Sequence, residues 1–199
     1  MKKIVFVGAK GGVGKTTSAM LTAAALQAGG ANVCVLDTDP QGSAAAWADH
    51  VEQNAVPLKF PVIPSGLNFS KQIPPDSEWV ILDTPPGNPD IIRAALKWAD
   101  LAVLPTRPGA LDLIQLIPVL DESERSSTPA AVLLVQTRAG VKETVEIKEI
   151  LADRQVMVIE TQIPLRARTS RLAMAHPGAR DLLASGYQDI ANELKEAFQ

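Results

Sequence analysis

The segment Lys10-Gly11-Gly12-Val13-Gly14-Lys15-Thr16-Thr17 places two amines and two hydroxyls around a run of glycines. Glycine tolerates the backbone angles that turn successive amides to one side, and amides so turned form a nest for an anion. The apolar run Ile4-Val5-Phe6-Val7 precedes the loop and reads as a buried strand. Ser18 to Ala28 follows it, rich in Ala and Leu, and reads as a helix. A strand, a Gly-rich turn ending in Gly-Lys-Thr, and a helix together make a phosphate cradle, with the positive end of the helix aimed at the anion. In that setting Lys15 lies against the β- and γ-phosphates and the Thr16 hydroxyl ligates Mg2+. The general pattern has glycine where this chain has Ala9, and Lys10 is a second lysine in a loop that already has its phosphate lysine.

Two acidic motifs come next, in the order a phosphate loop requires. Asp37-Thr38-Asp39-Pro40-Gln41 closes the apolar run Val33-Cys34-Val35-Leu36, and Asp83-Thr84-Pro85-Pro86-Gly87 closes Trp79-Val80-Ile81-Leu82. Open α/β sheets bind ligands at the carboxyl ends of their strands, which is where these carboxylates emerge. Asp83 is the expected acidic partner of the loop, holding Mg2+ through water, since that ion keeps much of its hydration shell. An aspartate at a strand end also caps helices and shapes turns. Each motif is therefore weak alone and specific only behind a phosphate loop.

Positioning these groups requires a sheet. Apolar, β-branched runs recur at 4–7, 33–36, 79–82, 101–104, 131–135 and 156–159, with a short strand expected around Lys59 to Ile63. Helices are expected at roughly 15–28, 42–53, 88–98, 110–122, 141–152, 166–175 and 187–198. The fold class is α/β: a mostly parallel twisted sheet with helices on both faces, of the P-loop NTPase kind, in a single domain over 1–199. A net charge of −3 excludes a protein that is basic all over but not one with a basic patch. Cys34 is the one cysteine, so no disulfide forms within the chain. No apolar run reaches the ~18 residues of a membrane span, and Ile4 to Val7 is too short for a signal-peptide core, so a cytoplasmic protein is expected.

Taken together, Lys10 to Thr16, Asp37-x-Asp39-Pro40-Gln41 and Asp83-Thr-Pro-Pro resemble the deviant phosphate-loop ATPases of the ParA/MinD group. The Asp-Pro-Gln sequence and the small size resemble the short ParA partition ATPases, which lack an N-terminal helix-turn-helix. The resemblance implies ATP and Mg2+ as cofactors, with Gly11 to Thr17 around the phosphates. It implies a homodimer that sandwiches two ATP molecules, with Lys10 reaching phosphates at the dimer interface. It also implies that Asp37 and Asp39 handle the attacking water and the metal shell. Asp39, next to Pro40, is favoured for the water and Asp37 for metal or outer-shell duty; the sequence leaves the reverse assignment open. Val135-Gln136-Thr137-Arg138 stands where relatives often carry an adenine-reading Asn, which nominates Gln136 or its neighbours. Ile163-Pro164-Leu165 resembles the loop that packs on the base.

Arg166, Arg168 and Arg171 form a local positive patch without an intervening acid. Family members bind DNA non-specifically from this region, although a solvated helix face has the same composition. The terminal helix carries Asp189, Glu193 and Glu196 against Lys195, which suits core packing rather than a membrane surface. The function expected is a nucleoid-associated switch that segregates plasmid or chromosomal DNA, with a centromere-binding partner stimulating hydrolysis. The alternatives are an ATPase of the same group that positions a protein cargo, and a metabolic P-loop ATPase.

Overall fold

In a computed structural model the residues described are 1–199 apart from Ala55, Ala167, Arg168, Ser170 and Arg171. Strands β1 (Lys2–Phe6), β2 (Val33–Asp37), β3 (Val62–Pro64), β4 (Trp79–Asp83), β5 (Leu101–Thr106), β6 (Ala130–Thr137) and β7 (Met157–Val158) form one sheet in the order β3-β2-β4-β1-β5-β6-β7. A further strand, β8 (Ile163–Pro164), pairs with the far end of β6. Every pairing is parallel.

Helices α1 (Lys15–Ala28), α2 (Ser43–Asn54), α3 (Pro89–Trp98), α4 (Ala110–Arg125), α5 (Lys142–Asp153), α6 (Ala179–Ser185) and α7 (Tyr187–Ala197) cover both faces. The strands show why. Ile4, Phe6, Val35, Ile81, Val103 and Leu133 pack on one side with α1, α2 and α7. Val5, Val7, Leu36, Val80, Leu82 and Leu104 pack on the other with α3, α4 and α5. Successive strand side chains point to opposite faces, so a strand buried on both sides reads as a continuous apolar run.

Particular residues set the ends of the helices. Asn88 Oδ1 accepts the amide of Ile91 at 3.2 Å, with Pro89 opening α3. Ile190 and Leu194 of α7 are buried, and Phe198 meets the Trp79 ring edge-on at 5.5 Å. That is the core-packing role expected of this helix. The expected strands and six of the expected helices are present, displaced by no more than three residues at their ends. Of the helix expected over 166–175, residues 167, 168, 170 and 171 lie outside the described residues. Helix α6 and strand β8 were not expected; α6 spans seven residues between Gly178 and an αL Gly186.

Candidate phosphate and nucleotide site

The sheet brings the chemistry to one edge. In the strand register Asp37 lies beside Asp83, and Asp83 beside Phe6, the residue at which β1 ends before the glycine loop. Threonine hydroxyls tie the strand ends together. Thr38 Oγ1 donates to Asp83 O at 2.7 Å and Thr84 Oγ1 to Phe6 O at 2.9 Å. The loop then turns with Gly12 at φ 75° and Gly14 at φ 88°, the left-handed region that a side chain disfavours. Gly14 is the N-cap of α1 and has no side chain to offer its first amides, so those donors remain for an anion.

Lys15 is only 6% exposed, and its Nζ donates to the Lys10 carbonyl oxygen at 2.9 Å. Burial lowers its pKa, opposed by the charges of Asp83 and then Asp39. Asp83 is fully buried, and neither carboxylate oxygen has a hydrogen-bond partner. Burial pushes its pKa up to about 7; the neighbouring Thr16 hydroxyl, short of hydrogen-bond geometry, offsets part of that, Asp37 adds to it and Lys15 opposes it. A buried carboxylate without donors, beside a threonine hydroxyl and the phosphate lysine, suits a hydrated cation bridging to phosphate. Thr16 and Asp83 thus fit Mg2+. No cluster of three or more His, Cys, Asp or Glu suited to a metal occurs among the described residues.

The two aspartates of the second motif separate clearly. Asp37 is 1% exposed, and its Oδ2 accepts the amides of Ala44 and Ala45, each at 2.9 Å, while Oδ1 accepts that of Asp39 at 3.1 Å. Burial raises its pKa, against the three amides. Its carboxylate ties the first turn of α2 to the end of β2. Asp39 is half-buried, has its own Oδ1 on the Gln41 amide at 2.9 Å, and faces the phosphate loop.

Gly11, Gly12, Gly14, Lys15, Thr16, Thr17, Asp39 and Gln136 line one cavity of about 400 Å3, with Ser43 and Trp47 of α2. A second cavity of about 270 Å3 shares Gly14, Thr17 and Gln136 with it and adds Val135, Pro164, Leu165 and Tyr187. Val13 is buried beneath the loop. Gln136 has φ 54°, one of four non-glycine residues with positive φ among those described, and Met174 on the rim of the first cavity is another. Such strain collects at ligand sites. At the floor, the Tyr187 hydroxyl and Ser18 Oγ share a hydrogen bond of 3.0 Å; burial pushes the Tyr187 pKa up to about 12.

Lys10 is elsewhere. Its Nζ bonds Asp112 Oδ1 at 3.2 Å, and Arg107 Nε lies 3.5 Å from the same oxygen. It does not line the phosphate cavity. This partner, 102 residues away, was not legible in the sequence, nor were Ser43, Trp47 and Tyr187 at the site. Arg166 lines the second cavity, whereas Arg168 and Arg171 lie outside the described residues.

Fold and site together define a phosphate-binding α/β domain with a nucleotide-sized double cavity at its carboxyl edge. The chain belongs to the CobQ/CobB/MinD/ParA nucleotide binding domain family, whose pattern matches residues 4–177. It is 35% identical over 178 residues to maintenance of carboxysome distribution protein A of Gloeobacter kilaueensis, covering 86% of this chain and 80% of that one. It is 31% identical over 184 residues to protein ParA of Rhizobium radiobacter, covering 87% and 82%. A plasmid partition protein of Borrelia burgdorferi bound to AMPPNP shares the fold, with a TM-score of 0.76 at 15% identity, covering 98% of this chain and 99% of that one.

Proposed function

We propose that this chain is an ATP-dependent dimerising switch ATPase that segregates plasmid or chromosomal DNA. In this reading it binds DNA non-specifically and a centromere-binding partner stimulates its hydrolysis. The observation that carries it is the position of Lys10. Lys10 lies outside its own phosphate cavity, on an acid of the neighbouring helix, and in this reading its phosphate partner is in a second copy. The pair it leaves is a partly exposed one, worth roughly 0–1 kcal/mol, so it opposes assembly only weakly.

The geometry divides the work. The loop amides and Lys15 hold the phosphates. Thr16 and Asp83 hold Mg2+, which supplies neutralisation of the charge on the transferring group. Asp39 orients the attacking water, and Asp37 holds Asp39 and α2 in place. Lys10 of a second copy adds positive charge at the phosphates, so hydrolysis waits for assembly. Gln136 and Pro164 hold the base. Arg168 and Arg171 contact DNA phosphates. Family membership and the AMPPNP-bound partition protein support ATP, and a nucleoid location follows in this reading from the DNA contact. Among the described residues, no helix is long and apolar enough to cross a membrane.

A second reading, a cargo-positioning ATPase of the same group, is favoured by the carboxysome-distribution relative, at 35% identity. It shares every residue role above and differs only in what the partner carries. The test of both is Lys10→Ala. It should bind ATP as the parent does, since the glycines and Lys15 remain, yet stay monomeric by sedimentation and lose hydrolysis. Normal dimerisation and turnover in this variant would sink the role given to Lys10.

A further inference from the structure

Of the three arginines in the basic stretch, Arg166 stands apart. Strand pairing fixes its backbone: Ile163 and Pro164 run beside Val135 and Thr137, and the Leu165 amide bonds the Thr137 carbonyl oxygen at 2.8 Å. Its side chain, although exposed, has a partner in the fold. Arg166 Nη1 donates to Ala184 O at 2.9 Å, a carbonyl at the C-terminal end of α6, where a cation is favoured. No carboxylate of the described residues lies within ion-pair distance of this guanidinium. The group held there is an uncompensated cation, and it lines the cavity of about 270 Å3 with Gln136, Pro164, Leu165 and Tyr187. Thr169 lines the same cavity; its Oγ1 is enclosed and has no hydrogen-bond partner, so it can rotate toward a ligand without breaking a bond.

We propose that Arg166 is a nucleotide-binding residue whose guanidinium forms the cationic wall of the base cavity and stacks on a bound purine ring. A guanidinium is planar and weakly hydrated, and its face suits the π surface of a base. Pro164 and Leu165 give the cavity apolar walls, and Gln136 offers an amide to a base edge, so a flat heterocycle fits better than a second anion. A DNA phosphate, by contrast, calls for a guanidinium free to fork around its oxygens, and one arm of this one is already bound. The inference deepens the nucleotide reading above and rests on it.

The experiment measures binding of Mg2+–ATP and of inorganic tripolyphosphate to the full chain, by calorimetry, for wild type, Arg166→Ala and Arg166→Lys. Arg166→Ala should weaken ATP roughly 3- to 30-fold while leaving tripolyphosphate unchanged. Arg166→Lys keeps a cationic donor for Ala184 and hence the local fold, but it has no planar face and should not restore ATP affinity. Unchanged ATP affinity in Arg166→Ala overturns the proposal. So does a parallel loss of tripolyphosphate binding, which would mark a general charge or folding effect, and so does full rescue by lysine. A DNA salt slope smaller in magnitude by roughly 0.9 with ATP affinity intact would return Arg166 to the DNA surface. Wild-type protein that binds neither ligand overturns this inference together with the nucleotide reading beneath it.

Discussion

The environment of Asp83 calls for a ligand. It is fully buried, its oxygens have no donors, and burial holds its pKa at about 7 instead of near the ordinary 3.8. In the ligand-free fold this acid keeps its proton to a higher pH than the unfolded chain does. The stability it allows is therefore complete below the unfolded value, declines as pH rises, and is gone above about 7. Asp83→Asn removes the charge while nearly keeping the shape. In nucleotide-free urea unfolding it should be more stable than the parent by about 1–3 kcal/mol at pH 8 and about equal at pH 4. It should also lose the stabilisation that Mg2+–ATP gives the parent. An identical difference at both pH values would mean that the buried charge is not what opposes folding.

At the scale of the element, Asp37 is part of α2 as much as of β2. It accepts two amides from the first turn of that helix and one from Asp39. Asp37→Ala leaves those donors without a partner and should lower stability by roughly 1–3 kcal/mol. Asp39→Ala removes only a local turn contact and should stay within about 0.5 kcal/mol of the parent. Its effect belongs to turnover: ATP binds, hydrolysis stops, and a dimer persists by light scattering. Equal turnover in Asp39→Ala and parent would move the water role elsewhere.

These two residues also mark how far the sequence could be read. Both aspartates were legible as strand-end acids behind a phosphate loop, because apolar runs and glycines announce a parallel sheet with its ligand edge. Their division of labour was not, since it depends on where α2 begins, and the amides of Ala44 and Ala45 carry no side-chain signal. The same holds for Lys10 on Asp112, joined only by folding, and for the αL backbone of Gln136, which no local pattern predicts. Helix α6 escaped because seven residues give too few turns for a period to show.

At the scale of the whole molecule, the account needs a second copy. Lys10 and its partner Asp112 stand beside Leu111 and Ile114, which are 72% and 62% exposed at the start of α4. A dimer built on this face would cover those apolar side chains while it delivers Lys10 to the neighbouring phosphates. It would also present two basic stretches at once. Bivalent contact raises apparent affinity by roughly 10²–10⁴ when both sites reach one duplex, so assembly alone can switch DNA binding on.

The most direct measurement is therefore binding of the purified chain to duplex DNA of arbitrary sequence, with Mg2+–ATP, with ADP, and with no nucleotide, across 50–200 mM salt. The account predicts binding with ATP only, indifferent to sequence and falling steeply as salt rises. Equal affinity in all three states, or no DNA binding in any of them, would contradict it.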